Sequence, residues 1–149
     1  MPKTIESSVE ENESFGTKNR NPETYLGTAR AKYYSHSVAE YHPGRSTFSK
    51  IVPGEMEYSL EGPWNLSGEF ISAAGPGAKI RLNYHAALVQ LVTSGAGQLV
   101  LTDGHGHRKT IPIPKVPGTI DLISETNPQS DTVTLEIPEG VQLYSFTFG

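Results

Sequence analysis

Residues 77–86 read GAKIRLNYHA. Ile80, Leu82 and Tyr84 alternate with Arg81, Asn83 and His85. A period of two sends successive side chains to opposite faces, as in a half-buried β-strand. The same period recurs downstream. Leu99 and Leu101 alternate with Gln98, Val100 and Thr102; Val133, Leu135 and Ile137 alternate with Thr134 and Glu136. In the closing VQLYSFTFG, Tyr144, Phe146 and Phe148 fall on one face, with Ser145 and Thr147 on the other. Further strand candidates are 56–60, 65–73, 88–93, 109–113 and 119–123, each bounded by Gly, Pro, Asn or Asp.

Eight or nine short strands at this spacing predict an all-β domain: a jelly-roll-like antiparallel β-sandwich. Fifteen Gly and 11 Pro leave little room for long helices. Asp103-Gly104 between two strand-like runs signals a hairpin. Pro112, Pro114 and Pro117 cannot donate to a ladder, which assigns that stretch to an edge or a connection. Residues 31–54 read as a Tyr- and His-rich loop with at most one strand.

The first 20 residues differ in kind. They carry Glu6, Glu10, Glu11 and Glu13 with few apolar groups. Such a segment cannot bury enough surface to offset its ordering entropy. The expectation is a disordered N-terminal tail or linker over 1–20, followed by one β-sandwich domain over 21–149.

Composition removes several functions. The 149-residue chain has no cysteine, which excludes thiol catalysis, disulfides and thiolate metal sites within it. A net charge of −4 without clustered Lys and Arg gives no footprint for nucleic acid. No apolar run approaches the roughly 20 residues of a membrane span. No apolar segment follows Lys3 as a signal peptide requires.

The motifs with chemical promise read better as structure. His105-Gly106-His107 resembles the metal pair of cupin-type barrels, but Arg108 and Lys109 follow and no carboxylate does. It reads as a solvated hairpin tip, and no metal or cofactor is expected. Ser94–Gln98 (SGAGQ) lacks the helix of a phosphate loop and reads as a tight turn. His36, His42 and His85 lack an i, i+4 partner of the zinc-protease kind, and no Gly-x-Ser-x-Gly elbow is present. The carboxylates are scattered rather than paired.

Aromatic residues remain. Trp64, the single Trp, sits at the head of a predicted strand in LEGPWNLSGEF. It reads first as a sheet-packing ring and second as a platform for a sugar. Tyr25 and Tyr84 carry the same two readings. Arg81 is either a ligand anchor on a sheet face or a cross-strand charge. In PETYLGTAR (22–30), Pro22 would fix the entry angle and Gly27 would allow a turn.

Four blocks then follow in order: PETYLGTARAKYY, YSLEGPWNLSGEF, GAKIRLNYHAALVQLV and LEIPEGVQLYSFTFG. Together they resemble the carboxy-terminal domain of DipZ-type thioredoxin-like proteins, over about residues 21 to 149. These are thiol–disulfide proteins linked to cytochrome c maturation. The resemblance implies a domain like a carbohydrate-binding module, placed after a thioredoxin-like domain that holds the redox cysteines. It implies a bacterial, extracytoplasmic setting. The expected function is a non-catalytic accessory module that binds a glycan or peptide-like ligand, or docks on a thioredoxin-like domain and shapes its substrate cleft. The alternative is a purely structural or protein-interaction sandwich. A β-barrel hydrolase or metal enzyme comes third. Candidate ligand- or partner-binding residues are Tyr25, Arg30, Trp64, Arg81 and Tyr84. Tyr25 and Arg30 are expected on the surface that faces the neighbouring domain, or else Tyr25 covers the end of the sandwich.

Overall fold

A computed structural model describes residues 21–35 and 38–149. The tail over 1–20 and His36 lie outside the described residues. Nine strands follow in chain order: β1 Thr24–Tyr25, β2 Gly44–Phe48, β3 Tyr58–Leu66, β4 Ile71–Ala73, β5 Lys79–Ser94, β6 Gln98–Thr102, β7 Arg108–Pro112, β8 Gly118–Glu136 and β9 Gln142–Phe148. Every pairing between strands is antiparallel. The only helical turn among the described residues is a 3-10 turn at Val38–Glu40.

The strands form one continuous hydrogen-bonded sheet that doubles back as a sandwich. Two long strands, β5 and β8, pair along nearly their whole length and serve both layers. The first half of β5 pairs with β3, at Tyr58 to Glu61. The second half pairs with β9. One layer is therefore β2–β3–β5–β8–β6–β7 and the other is β1–β9–β5–β8, with β4 joining β3 to β9. β7 is an outer edge that carries Arg108, Lys109 and Pro112, residues that discourage further strand addition.

Bulges let β5 serve both layers. Ile80, Leu82, Tyr84 and Ala86 point inward, and then Val89 and Leu91 do. The change of phase coincides with register shifts between Ala86 and Leu88 and between Val89 and Gln90. An inserted residue flips every later side chain to the other face, and the added twist bends the strand. The buried side chains of β3, β5, β6, β8 and β9 then close into one core, with Trp64, Tyr58 and Phe146 its largest fully enclosed members.

Where sequence and structure differ, the causes are bulges in the β5–β8 and β5–β9 pairings, a close glycine approach in β3 and a turn after it. The predicted break at Gly62-Pro63 does not occur: β3 runs from Tyr58 through to Leu66. Gly62 adopts φ 83°, and a Cβ there would strike the Gly77 carbonyl, so only glycine lets the two segments approach. The predicted strand over 65–73 is the end of β3, a turn and β4. The runs at 80–84 and 88–93 are one strand, as are those at 119–123 and 133–137. Tyr144 leaves the face of Phe146 and Phe148, because β9 has a register shift opposite Val92 and Thr93. The Asp103-Gly104 hairpin joins β6 to β7, and SGAGQ is the turn from β5 to β6.

Between its two partners, one edge of β5 has no strand beside it. Asn21, 1% exposed, fills that interval. The His85 N–H donates to Asn21 Oδ1 at 2.7 Å. The Asn21 N–H donates to the His85 carbonyl at 3.2 Å, and Asn21 Nδ2 donates to the Asn83 carbonyl at 3.4 Å. Replacing Asn21 by Ala strands buried polar groups of β5, and we expect a loss of about 2 kcal/mol. A lowered urea midpoint at constant m-value is the readout; an unchanged midpoint would show the contacts to be dispensable.

Candidate functional site

The chain enters the domain at Asn21 and runs directly into β1, where Thr24 pairs with Phe146 and Tyr25 with Ser145. Leu26 is fully buried. Its N–H donates to the Tyr144 carbonyl at 3.0 Å. Its own carbonyl accepts from the Tyr41 hydroxyl at 2.7 Å, and that hydroxyl accepts from Tyr58 at 2.8 Å. Burial pushes the Tyr41 and Tyr58 hydroxyls well above their ordinary range, so both stay neutral hydrogen-bonding groups.

Gly27 then lies against the turn that joins β3 to β4. The Thr28 N–H donates to the Ser67 carbonyl at 2.8 Å and the Ala29 N–H to the Gly68 carbonyl at 3.0 Å. A Cβ on Gly27 would collide with the backbone of Gly68 and Glu69. Gly27 does open a turn, closed by Arg30 N–H to its carbonyl at 3.3 Å. Its requirement for glycine comes from this close approach of two backbones.

These contacts border a small, partly open cavity of about 120 Å³, lined by Tyr25, Gly27, Arg30, Glu69, Tyr144 and Ser145 among others. The Arg30 guanidinium carbon sits over the Tyr25 ring, 3.9 Å from its centroid. Arg30 and Glu69 approach to 3.8 Å, with side chains 59% and 74% exposed. A pair this open and this distant contributes little energy. Tyr144 is the residue bulged out of β9. Its ring packs on Phe70 at a centroid distance of 5.6 Å, and its hydroxyl donates to Gln142 Oε1 at 2.9 Å. Ser94 Oγ also donates to that oxygen, at 3.1 Å. A bulge has re-aimed an aromatic ring from the core to the cavity wall.

Of the five sequence candidates, Tyr25 and Arg30 meet here and the other three lie elsewhere. Trp64 is 0% exposed; its indole N–H donates to the Glu61 carbonyl at 3.0 Å. With no ring face open to solvent it is a core side chain, as the sheet-packing reading holds. It also falls late in β3 rather than at a strand head. Tyr84 points inward from β5 and is 4% exposed. Burial, helped by Asp131, Glu125 and Asp103, pushes its hydroxyl up to about 12. Arg81 binds Glu61 at 2.7 Å with its side chain 11% exposed, a cross-strand pair between β5 and β3. Tyr144 was missed because alternation placed it with Phe146 and Phe148.

The hairpin tip is occupied with its own structure. Asp103 Oδ1 accepts from the backbone N–H groups of His105 and His107, each at 2.9 Å. Its Oδ2 lies 3.2 Å from His107 Nδ1. Desolvation opposes ionisation, but the His107 and His105 N–H groups and the His107 ring outweigh it and hold the carboxyl below its ordinary value. Among the described residues no group of three or more acidic or imidazole side chains converges as a metal site.

Two predictions follow from this geometry. Gly27→Ala should lower stability by about 2 kcal/mol, since backbone must move to admit the methyl; an unshifted denaturation midpoint would contradict it. Asp103 has a lowered folded pKa, so its stabilisation is present above the ordinary carboxylate value of 3.8 and is lost as pH falls through the folded pKa. Asp103→Asn should therefore flatten the acid limb of melting temperature against pH. Parallel limbs for the two proteins would refute that assignment.

Comparison with known proteins agrees with the fold. A family model described as the thioredoxin-like C-terminal domain matches residues 21–149, and the chain belongs to that family. The proteins named DipZ of Mycobacterium bovis and Mycobacterium tuberculosis are each 32% identical to it over 131 residues. The match covers 86% of this chain and 18% of theirs, so the chain spans under a fifth of these relatives. Among solved structures, a family two carbohydrate esterase from Cellvibrio japonicus matches 70% of this chain and 33% of its own, with TM-score 0.57 and 14% identity. That likeness is one of fold.

Proposed function

We propose that this domain is the non-catalytic accessory module of a thioredoxin-like thiol–disulfide protein, and that the Tyr25–Arg30 surface is where it meets the thioredoxin-like domain. One observation carries the reading. Tyr25, Gly27 and Arg30, three of the residues that line the cavity, lie within ten residues of Asn21, which favours this face as the contact with a domain attached upstream. Membership of a carboxy-terminal domain family supports an upstream position for that neighbour. The absence of cysteine supports a division of labour in which redox chemistry belongs to the neighbour.

The setting we propose is extracytoplasmic, where thiol–disulfide proteins act on exported substrates. Among the described residues no helix is long and apolar enough to cross a membrane. In this arrangement the module shapes one wall of the neighbour's substrate cleft and performs no bond chemistry itself.

Calorimetric titration with a thioredoxin-like domain supplied in trans tests the reading. Tyr25→Ala and Arg30→Ala should each weaken docking by about 2 kcal/mol, roughly thirtyfold, as central aromatic and Arg contacts commonly do. Arg81→Ala is the comparison, since Arg81 lies outside the cavity. Equal affinity for all three variants and the parent would sink the assignment of this surface.

A further inference from the structure

We infer that the cavity beside Arg30 receives one carboxylate side chain, an Asp or Glu of the thioredoxin-like domain that precedes this one. The inference rests on the docking reading above and adds the chemistry of the contact.

Size limits the occupant first. A volume of about 120 Å³ is smaller than the roughly 150 Å³ cavity that accommodates one benzene. One side-chain head occupies it, whereas a run of sugar units would lie mostly outside it. The aromatic walls agree. A sugar platform needs an open ring face. One face of Tyr25 is covered by Arg30, and Tyr144 packs on Phe70. Gly27 and Gly68 contribute only backbone to the lining, next to the buried Ser145.

Charge then selects the head group. A guanidinium carries five N–H donors in a rigid fork, matched to a carboxylate. Seating it over Tyr25 restricts its motion and leaves donors at its margin. Its ion-pair partner Glu69, which lines the same cavity at 3.8 Å, is too distant to engage the fork as a hydrogen bond. A second carboxylate can therefore bind while Glu69 stays alongside. Position supplies the source. The family is described as a C-terminal domain, and its longer relatives have most of their length outside the match. The chain from that side enters at Asn21, four residues before Tyr25 in the sequence.

The test follows the Arg30 Nε–H and the Tyr25 ring by NMR while the chain is titrated with N-acetyl-glutamate amide, N-acetyl-glutamine amide or methyl glucoside. The glutamate derivative should shift both signals saturably, with the glutamine derivative about tenfold weaker and the glucoside inert. Arg30→Lys keeps the charge and loses the fork, so it should weaken glutamate binding about tenfold at an unchanged melting temperature. Equal response to the two amino-acid derivatives, response to the glucoside alone, no response to glutamate, or unaltered binding by Arg30→Lys would each overturn the carboxylate assignment. Docking of a thioredoxin-like domain that withstands Arg30→Lys would overturn this inference and leave the docking surface standing; failure of the parent chain to dock would remove both.

Discussion

One edge of β5 has to be shared by two strands in succession, and the sandwich depends on how that edge is completed. Its early residues bond to β3 in one layer and its late residues to β9 in the other. A strand that crosses between layers must leave an interval where neither partner reaches. Backbone polar groups in that interval are buried and need partners. Asn21 supplies them at Asn83 and His85, and Gly149 supplies them at Ala87 and Leu88. Both ends of the family-matched region are thus drawn to the same gap.

That constraint makes the entry segment structural before it is functional. Because Asn21 is held on β5, Tyr25 is delivered to β9, Leu26 to the core and Gly27 to the turn after β3. Each contact narrows the options of the next. The Tyr-rich stretch that follows bends back, and the Tyr41 hydroxyl takes the Leu26 carbonyl. The ring of Tyr41 lies 4.2 Å from that of Tyr34 and 6.1 Å from that of Tyr58. The backbone at Tyr25 and Gly27 is held this way before anything binds, and preorganisation reduces the entropy cost of a contact.

The layer architecture was legible in the sequence because alternation survives within each half-strand. Ile80, Leu82, Val133, Leu135, Leu99 and Leu101 were all placed on the correct face. Bulges were not legible. Nothing in KIRLNYHAALVQLVTS marks Ala87 as the place where the inward set changes parity, since both phases offer apolar residues there. The same blindness hid Tyr144. In Gly-Pro-Trp the signal was misleading: Gly and Pro together suggest a break, but β3 uses the glycine for a close approach to Gly77 and continues. Asn21 is the instructive omission. Its role depends on a gap 62 to 64 residues downstream, and no local pattern encodes it. That Tyr25 and Arg30 stay at the surface was legible because polar and aromatic residues in a short entry segment have little core to serve.

A small cavity with one well-placed cation binds a free molecule only weakly. A single charged hydrogen-bonded contact supplies on the order of 1.5–3 kcal/mol, and free association costs several kcal/mol in lost motion. A covalently attached neighbour changes the balance. Tethering replaces bulk concentration by an effective concentration that reaches the millimolar range for short flexible linkers. A contact that is weak but measurable in trans can then hold two domains together for much of the time and still release them. In the proposed arrangement such a contact lets the two domains part and re-form without leaving one another. The modest dimensions of the Tyr25–Arg30 cavity favour a contact that works inside one polypeptide over one that recruits a separate ligand.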